Sequence, residues 1–499
     1  MFKYNIHIIV LILLTLGLLK GLIAQNQHNT DTTTKESFYV EPGSYGSKRE
    51  PTPPNYTRKL SETGFKATEN TNWLNVGLDY RIRYEYRNND LRRQESFNND
   101  NPFLHRTRAY LGVQNIIDPL RLVIEFEDAR RTNGNYPLDD RDVNELEIIQ
   151  GYAELNFKNA FGTDDLKNNR PLIIRGGRMA FEFLDRRLIA SNQWRNTTNN
   201  FFGVLTSIGQ DKNDWQIDLL ALQPVVRLID EFDKNATDKL FWSAIGHWRR
   251  WSEIITIEPY YLALRQNATS ANGNRFREIH ATGLRCYGWV YNSGFNYDIT
   301  GVYQFGKERS QNHQAFSFTT EVGYMLKKHT WKPRLSLFFG YVSGDKNPND
   351  NENNRFERYF GFARPWSSDD YIIMEKIVTP KIKLEFEPIK GVKIDGGYSF
   401  YWLASEKDRF NNLLAGTSFN RDATGKSGRY IGHGLDARIR FKPTHFIDTN
   451  IGYTHFVFGD FVKNRQQNAN GESASASNFA YLELSFNVFD VFKKSEKKN

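Results

Sequence analysis

The sequence predicts an all-β fold, a transmembrane antiparallel β-barrel of about 18 strands with a signal peptide and a disordered N-terminal extension. Three observations predict it: a polar but aromatic-rich composition, an export signal, and apolar residues at every second position. Aromatic residues make up 14% of the chain, whereas its mean hydropathy is −0.63. A membrane barrel combines these properties because its interior is polar, its lipid-facing band is thin, and aromatic girdles flank that band.

Residues 1–24 have the features of a secretory signal peptide. Lys3 precedes an apolar run from Ile8 to Leu19, and the small residue Ala24 stands before the expected cleavage point. The run is too short to span a bilayer, and no other apolar stretch reaches the length of about 18 residues that a membrane helix needs. We therefore expect Sec-type export, cleavage of the signal peptide, and a location in a bacterial outer membrane.

The charge balance and the cysteine content restrict the partners. The chain has 66 Lys and Arg residues against 58 Asp and Glu residues, a net charge of +8. This balance favours paired charges with a positive excess, and export further argues against a nucleic-acid partner. Cys286 is the only cysteine in the sequence, so no intrachain disulfide is expected. A large exported chain of this kind fits the Gram-negative envelope.

Two segments flank the predicted barrel. Residues 25–71 lack periodicity and are rich in Thr, Ser, Pro and Asn, which predicts a flexible periplasmic extension that is free to contact periplasmic export proteins. Residues 490–499 form a basic tail. The barrel itself is predicted over residues 72–489.

Strands are indicated by alternation at period two. From Leu74 to Arg87, apolar residues alternate with polar or charged ones, as in a strand with one apolar and one ionic face. The same pattern recurs at 120–127, 152–157, 435–442 and 480–488. Turns such as Asp118-Pro119 alternate with long polar loops, as periplasmic turns alternate with extracellular loops in outer-membrane barrels. The long loops are predicted at 88–102, 130–144, 345–369 and 463–477.

Arginine residues occupy the ionic face of these strands. An arginine that faces lipid at mid-membrane costs about 2–4 kcal/mol, so this face is predicted to line the lumen. Guanidinium groups bind carboxylates bidentately, which suits a uronate polymer or another polyanion. The predicted substrate-binding residues of the lumen are Arg81, Arg83, Arg106, Arg108, Arg121, Arg175, Arg178, Arg186, Arg187, Arg195, Arg438 and Arg440, together with the acidic residues Asp79, Glu125, Asp185 and Asp436.

The second interpretation is that these arginines form a structural network of ion pairs. Acidic residues on the same face, among them Glu85, Glu127 and Glu154, can pair with them and stabilise the wall, and the two roles can coexist. Arg175 and Arg178 are three positions apart, so a bulge or a position at the rim is needed for both to face the lumen. Arg186 and Arg187 adjoin Asp185, which predicts a strand-to-loop corner folded over the pore.

Metal and catalytic sites have little support in the sequence. Asp345, Asn347 and Asp350 offer alternating oxygen ligands, but an EF-hand is excluded because its glycine and its final glutamate are missing. A solvated loop is the main interpretation there, and an irregular site for a divalent cation is the alternative. The ten histidines are scattered, and no spacing supports a triad that would recruit Ser399, His433 or His455. We therefore expect no cofactor and no enzyme activity.

Several segments resemble the alginate export porin family of Gram-negative outer membranes, in the same order along about residues 74–488. The segments that carry the resemblance are Gly177-Arg178, RRLI (186–189), WRN (194–196), FNYDITGVYQFG (295–306), KPRLSLFFGYVSGDKNPND (332–350), YSFYWLASEKD (398–408), GRYIGHGLDARIRFKP (428–443) and IGYTHFVFGDFV (451–462). The resemblance implies an 18-stranded barrel with an electropositive constriction. It also implies outward passage of an anionic polysaccharide, gated by long loops and a periplasmic turn.

The sequence therefore predicts an outer-membrane channel with an arginine-lined lumen for passive export of an anionic, alginate-like exopolysaccharide. The expected partners are outer-membrane lipid, the polysaccharide and periplasmic export proteins. Two alternatives stay open: a general or anion-selective porin for small solutes, and an outer-membrane barrel enzyme that acts on lipid or polysaccharide.

Overall fold

The computed structural model describes residues 36–91, 99–347, 349–410, 421–465 and 474–491. The predicted signal peptide, the first part of the predicted extension (25–35) and the tail from residue 492 onward lie outside the described residues.

Eighteen long strands of the described chain form one antiparallel sheet. In chain order they are β1 Leu74–Asn88, β2 Phe103–Val113, β3 Leu120–Thr132, β4 Asn144–Phe157, β5 Leu172–Met179, β6 Phe201–Ile208, β7 Trp215–Val226, β8 Lys239–Ser252, β9 Ile255–Gln266, β10 Arg277–Trp289, β11 Phe295–Glu308, β12 Gln311–Met325, β13 Arg334–Val342, β14 Ile377–Ile389, β15 Val392–Leu403, β16 Tyr430–Thr444, β17 Ile447–Phe458 and β18 Ala476–Asn487. Each strand pairs with its neighbours in the chain, and β1 also pairs with β18. The sheet is therefore a closed barrel, as predicted.

Smaller elements decorate the barrel. Three short strands are Thr57–Lys59 against β1, Lys234–Asn235 against β7, and Glu352–Asn353 parallel to β12. Helix α1 spans Asp460–Arg465, and 3-10 turns lie at Tyr45–Ser47, Leu60–Glu62, Lys66–Thr68, Ser270–Asn272 and Val488–Asp490. In the part of the chain that the structure describes, no helix is both long enough and apolar enough to cross a membrane.

Period-two alternation gives the barrel two chemically different faces. On β2, the Leu111 side chain is 47% exposed, whereas Arg106 and Arg108 are 6% and 2% exposed. The exposed residues belong to the apolar row, and the buried ones belong to the ionic row, because successive side chains of a strand point to opposite sides. An apolar outer band of this kind suits contact with lipid.

The connections differ between the two ends of the barrel. One end, where β1 begins and β18 ends, carries mostly short turns such as 114–119 and 390–391, and we call it the short-turn end. The opposite, long-loop end carries connections such as 133–143 and 227–238. This arrangement confirms the predicted alternation of short turns and long loops.

Two connections of the long-loop end fold into the barrel. We call residues 180–200 inner loop A and residues 354–376 inner loop B. Ile189 of inner loop A forms a parallel bridge with Phe360 of inner loop B. Ile189 and Trp366 are 0% exposed and belong to a hydrophobic cluster that includes Phe241 of β8 and Phe456 of β17. The main apolar core thus lies inside the barrel, between the inner loops and the wall.

Residues 37–71 make defined contacts with the barrel, in place of the flexible conformation that their composition predicts. Thr57 pairs with Gly77 in the short ladder against β1. Arg58 makes a 2.5 Å ion pair with Asp490, and the Tyr56 side chain is only 9% exposed. The difference arises because the partners of this segment are distant in the sequence, so composition alone cannot reveal them.

Candidate functional site

The side chains of the ionic row point into the barrel, and Arg81, Arg83 and Arg106 donate to backbone carbonyls of inner loop A. Arg81 donates from Nη1 to the carbonyl oxygen of Gln193 and from Nη2 to that of Arg195, both at 2.8 Å. Arg106, opposite Arg81 in register, donates to the same two carbonyls at 3.1 and 3.3 Å. Two adjacent guanidinium groups therefore share two neutral acceptors.

Arg83 combines a loop contact with ion pairs. Its Nη1 donates to the Trp194 carbonyl at 2.6 Å, and its guanidinium lies 3.8 Å from the centre of the Trp194 ring. It also pairs with Glu85 at 2.9 Å and with Glu483 at 3.0 Å. This side chain is 2% exposed, so its charge depends on these two carboxylates.

Arg108 and Glu125 belong to a buried polar group on β2 and β3. Arg108 pairs with Glu127 at 2.8 Å and donates to the side chains of Gln193 and Thr198. Glu125 accepts hydrogen bonds from Tyr56 and Gln150. Asp79 lies opposite Arg108 in the β1–β2 register and is buried.

The arginines of β3 and β5 pair with carboxylates of β4. Arg121 and Arg175 both contact Glu154, at 3.3 and 2.7 Å. Arg178 contacts Glu147 at 2.5 Å. These contacts match the structural reading of the ionic row, in which arginines stabilise the wall.

The three-residue spacing of Arg175 and Arg178 on β5 predicts an irregularity, and the structure contains a bulge close to these residues. It lies on the neighbouring strand β4, where the register against β3 shifts between Gln150 and Ile148. On β5 itself the pairing is regular, but Gly177 adopts φ +133°, in the region that favours glycine. The bulge and this glycine together let both arginines reach carboxylates of β4.

Asp185, Arg186 and Arg187 form a corner at the start of inner loop A. Arg187 pairs with Asp185 at 2.5 Å, and both side chains are buried. Burial raises the pKa of Asp185, but Arg187 and Arg285 outweigh burial and hold it below its ordinary value. Arg186 points toward the short-turn end and donates to the Gly46 carbonyl at 2.5 Å. The Arg186 N–H donates to the Phe183 carbonyl at 3.0 Å, so the chain turns at these residues, inside the barrel.

Arg195 differs from the other arginines because its guanidinium has no hydrogen-bond or ion-pair partner among the residues that the structure describes. It is half-buried in a cluster of cations that includes Arg141, Arg227 and Arg358. Burial and the charges of these three arginines together lower the pKa of Arg195 to about 9, although Asp370 opposes the shift. The spot is suited to an anion.

Arg438 and Arg440 of β16 share one carboxylate. Asp395 of β15 lies 2.5 Å from Arg438 and 3.3 Å from Arg440. The neighbouring Asp436 accepts a hydrogen bond from Ser368 of inner loop B at 3.0 Å. Residues of β15, β16 and inner loop B border an interior cavity of about 440 Å³.

Several basic residues of the interior were missed by the sequence reading. Lys381 and Lys383 of β14 line the same cavity, and Arg334 of β13 pairs with Glu321 and Glu385 at 2.8 and 2.6 Å. The segment KIKLEFE (381–387) alternates as clearly as β1 does. The alternation of β14 could therefore have identified Lys381 and Lys383 from the sequence. Arg334 could not be identified in this way, because it is a single basic residue at the start of its strand.

The residues of the candidate metal loop and of the candidate catalytic site are not brought together. The Asn347 and Asp350 side chains accept nearby backbone N–H groups, and Asp345 lies beside Asp408. Within the described ranges, no group of three or more His, Cys, Asp or Glu side chains is placed to hold a metal ion. Ser399 is buried on the inner face of β15, whereas His433 pairs with Phe400 on the outer face, so they do not form a catalytic pair.

The fold is similar to that of outer-membrane porins of Pseudomonas aeruginosa. OccK2 (OpdF) has a TM-score of 0.54 and 10% identity over 83% of this chain and 97% of its own. OpdK, solved with vanillate, has a TM-score of 0.54 and 9% identity over 82% and 98%. The outer membrane protein OprD has a TM-score of 0.51 and 8% identity over 82% and 93%. At these identities the likeness shows the fold alone.

The family comparison is more specific. No curated protein matches the sequence. A family model described as alginate export matches residues 72–475, which cover most of the chain and nearly all of the barrel. The match and the porin-like barrel together indicate an outer-membrane channel. The family resemblance read from the sequence is thereby confirmed, and the chain belongs to the alginate export family.

Proposed function

We propose that this protein exports an anionic, alginate-like exopolysaccharide across the outer membrane through an arginine-lined lumen. Membership of the alginate export family supports the class of substrate. The observation that carries the proposal is the incomplete neutralisation of the interior. Arg106 and Arg195 have no carboxylate within 4.0 Å in the described part of the chain.

Carboxylates of a polyuronate can occupy these positions. Arg81 and Arg106 now donate to the neutral carbonyls of Gln193 and Arg195. A hydrogen bond to an ionised acceptor is roughly twice as strong as one to a neutral acceptor. Arg81 also lies 3.6 Å from the Glu483 carboxylate. A passing uronate therefore competes well with the loop backbone for Arg106, and less well for Arg81.

Release requires that no single site binds too tightly. Asp79, Glu125 and Asp436 are interspersed with the arginines of the interior and repel a polyanion. A sequence of moderate sites allows a polymer to move from one to the next, as conduction requires binding that is favourable but weak. The passage is passive, since no nucleotide-binding motif occurs in the sequence.

Uptake of small anionic solutes is the competing function. OccK2, which shares the fold, was solved in complex with glucuronate, so a barrel of this type binds a uronate sugar. A monosaccharide porin and a polymer exporter differ in their response to a long chain: a polymer that enters blocks the ion current, whereas a solute porin excludes it.

Planar-bilayer recording of the full chain tests the proposal. We expect anion selectivity and block of the open current by polyuronate added at the short-turn side. The double variant Arg106→Ala/Arg195→Ala should weaken the block by about tenfold or more, because each charge-assisted bond contributes about 1.5–3 kcal/mol. Arg130→Ala is the matched control, since Arg130 is exposed and already pairs with Asp128.

Two results would contradict the proposal. Cation selectivity would exclude an arginine-lined lumen as the determinant of passage. Block by free glucuronate without any effect of polyuronate would favour the porin for small solutes.

A further inference from the structure

The N-terminal segment, which we define as residues 37–58, lies across the short-turn end of the barrel. At its start, the Phe38 N–H donates to the carbonyl of Lys212, in the turn between β6 and β7, at 3.0 Å. Farther along, Trp289 at the end of β10 donates from its indole N–H to the Glu41 carbonyl at 2.9 Å. These contacts lie on separate parts of the barrel rim.

The same segment then reaches the remaining wall. Lys383 of β14 donates to the Ser44 hydroxyl at 2.9 Å. Tyr56 donates to Glu125 of β3, and the ladder of Thr57–Lys59 ends the crossing at β1. Contacts on β1, β3, β10 and β14 are spread around an 18-stranded barrel. The segment therefore spans the opening and does not follow one edge.

The segment also meets inner loop A inside the barrel. The Glu50 N–H donates to Glu182 at 2.8 Å, and Arg186 donates to the Gly46 carbonyl at 2.5 Å. Inner loop A enters from the long-loop end, so the two segments touch from opposite directions. Together they obstruct the interior along its length.

Three interior cavities border this segment. Their volumes are about 320, 510 and 440 Å³, and Glu50 lines all three. The first borders Arg106, the second borders Arg121, and the third borders Arg438. Removal of the segment would join cavities that are lined by the candidate substrate-binding arginines.

The segment is held differently from the inner loops. Its buried aromatic residues, Phe38 and Tyr56, keep 9% exposure, whereas Ile189 and Ala190 of inner loop A are at 0%. The segment offers Arg186 a carbonyl and Lys383 a hydroxyl, both of them neutral acceptors. The carboxylates near these cations, Glu182 at 3.8 Å and Glu321 at 2.9 Å, belong to inner loop A and to β12 and not to the segment. Arg49 of the segment also pairs with Asp211 of the β6–β7 turn at 3.0 Å, but the Asp211 side chain is 53% exposed, so this ion pair contributes little. Small apolar burial, neutral acceptors and a partly exposed ion pair make a segment that separates from its site at low cost.

One end of the segment is anchored. Arg58 donates from Nε and Nη2 to the two carboxylate oxygens of Asp490, at 2.8 and 2.5 Å. The adjacent ladder pairs Thr57, Arg58 and Lys59 with β1. This anchor keeps the segment at the mouth when the rest of it has moved.

We propose that residues 37–58 form a displaceable plug of the short-turn mouth, and that an anionic polymer displaces it by taking over its cationic partners. The proposal rests on the proposed function and assigns a gate to it. Carboxylates of the polymer replace the Gly46 carbonyl at Arg186 and the Ser44 hydroxyl at Lys383. The charged acceptors form the stronger hydrogen bonds, so the polymer opens its own path.

A reversible disulfide tests whether the plug must move. A Cβ built on Gly43 lies 2.6 Å from Cγ of Asn296 on β11. Cysteines at 43 and 296 therefore come within the Cβ separation of about 4 Å that a disulfide requires. Cys286, the only native cysteine, is replaced by Ala in all variants. We expect the oxidised pair G43C/N296C to pass at least tenfold less polyuronate than the reduced pair, and each single cysteine variant to show no redox effect.

A deletion provides the second measurement. Removal of residues 37–53 leaves the strands and the anchor intact, and folding is checked by the heat-dependent mobility of the barrel in SDS gels. We expect larger ion currents than for the full chain.

Equal currents in the full chain, the oxidised pair and the deletion variant would overturn the plug and leave the channel in place. Absence of current in the folded deletion variant would overturn the channel itself. Larger currents without any effect of polyuronate would overturn the polymer as the agent of displacement.

Discussion

Arg83 shows how a single buried arginine stabilises the wall. It lies between Glu85 and Glu483, at 2.9 and 3.0 Å, and is 2% exposed. Replacement by Met would leave Glu85 with Arg87 at 3.0 Å and Glu483 with Arg81 at 3.6 Å, and breaking the two buried ion pairs of Arg83 costs about 3–5 kcal/mol. We predict that Arg83→Met lowers the free energy of unfolding by this amount in urea titrations of the detergent-solubilised barrel. The exposed Arg130→Met should change it by less than about 1 kcal/mol. Equal effects of the two variants would contradict the prediction.

Asp369 of inner loop B should make stability depend on pH. Burial raises its pKa from 3.8 to about 6, against hydrogen bonds from Ser367 and Tyr371 that lower it. The folded state therefore binds a proton that the unfolded state has lost between these two pH values. The resulting stabilisation is complete below pH 3.8 and is lost as the pH rises through about 6. Its size is about 3 kcal/mol, since a unit of pKa corresponds to about 1.4 kcal/mol.

The measurement for Asp369 is hydrogen exchange of inner loop B. Protection should fall between pH 4.5 and about 6.5 in the native chain and should be nearly flat in Asp369→Asn, which keeps an acceptor but cannot ionise. A similar fall in both chains would assign the pH dependence to other groups.

At the scale of single elements, Gly177 of β5 has a role that its neighbour lacks. A Cβ at Gly177 would lie 2.8 Å from the Tyr152 Cα, and the residue has φ +133°. At Gly176, a Cβ would meet no atom within 4 Å. We predict that Gly177→Ala costs about 1–3 kcal/mol of unfolding free energy, whereas Gly176→Ala is neutral. A chemical unfolding series with both variants decides this, and equal stabilities would show that β5 relaxes around the new methyl group.

The elements also show what a sequence can and cannot predict here. β1 and β16 were predictable because a strand with lipid on one side and polar contacts on the other must alternate. The same rule explains why Arg81 of β1 points into the barrel and why Leu111 of β2 faces outward. Inner loop A was not predictable, since its apolar residues pack inside the barrel without a regular period. The plug was missed for a related reason: its partners, such as Glu125 and Lys383, are far away in the chain.

For the candidate site, the sequence predicted which residues are present but not how they are paired. Arg108 and Arg195 look alike in the sequence, yet Arg108 is 2.8 Å from Glu127 and Arg195 has no carboxylate partner in the described ranges. Pairing depends on which strands become neighbours and on where inner loop A folds. Neither property is encoded in local spacing.

At the scale of the whole molecule, the interior contains two closures in series. Inner loops A and B obstruct the half near the long-loop end, and the plug obstructs the short-turn mouth. Resistances in series add, so the opening of one closure leaves the current limited by the other. Ile189→Asp places a charge in the 0% exposed contact with Phe360 and should release inner loop A.

We predict that Ile189→Asp alone and the deletion of residues 37–53 alone each raise the mean current moderately. Their combination should raise it by more than the sum of the two increases. Leu138→Asp is the control, because Leu138 is 56% exposed and its substitution should leave the current unchanged. The strand ladders are untouched in every variant, so the barrel persists while its contents move. A full increase from Ile189→Asp alone would mean that the N-terminal segment offers no resistance, and the two-closure arrangement would then be wrong.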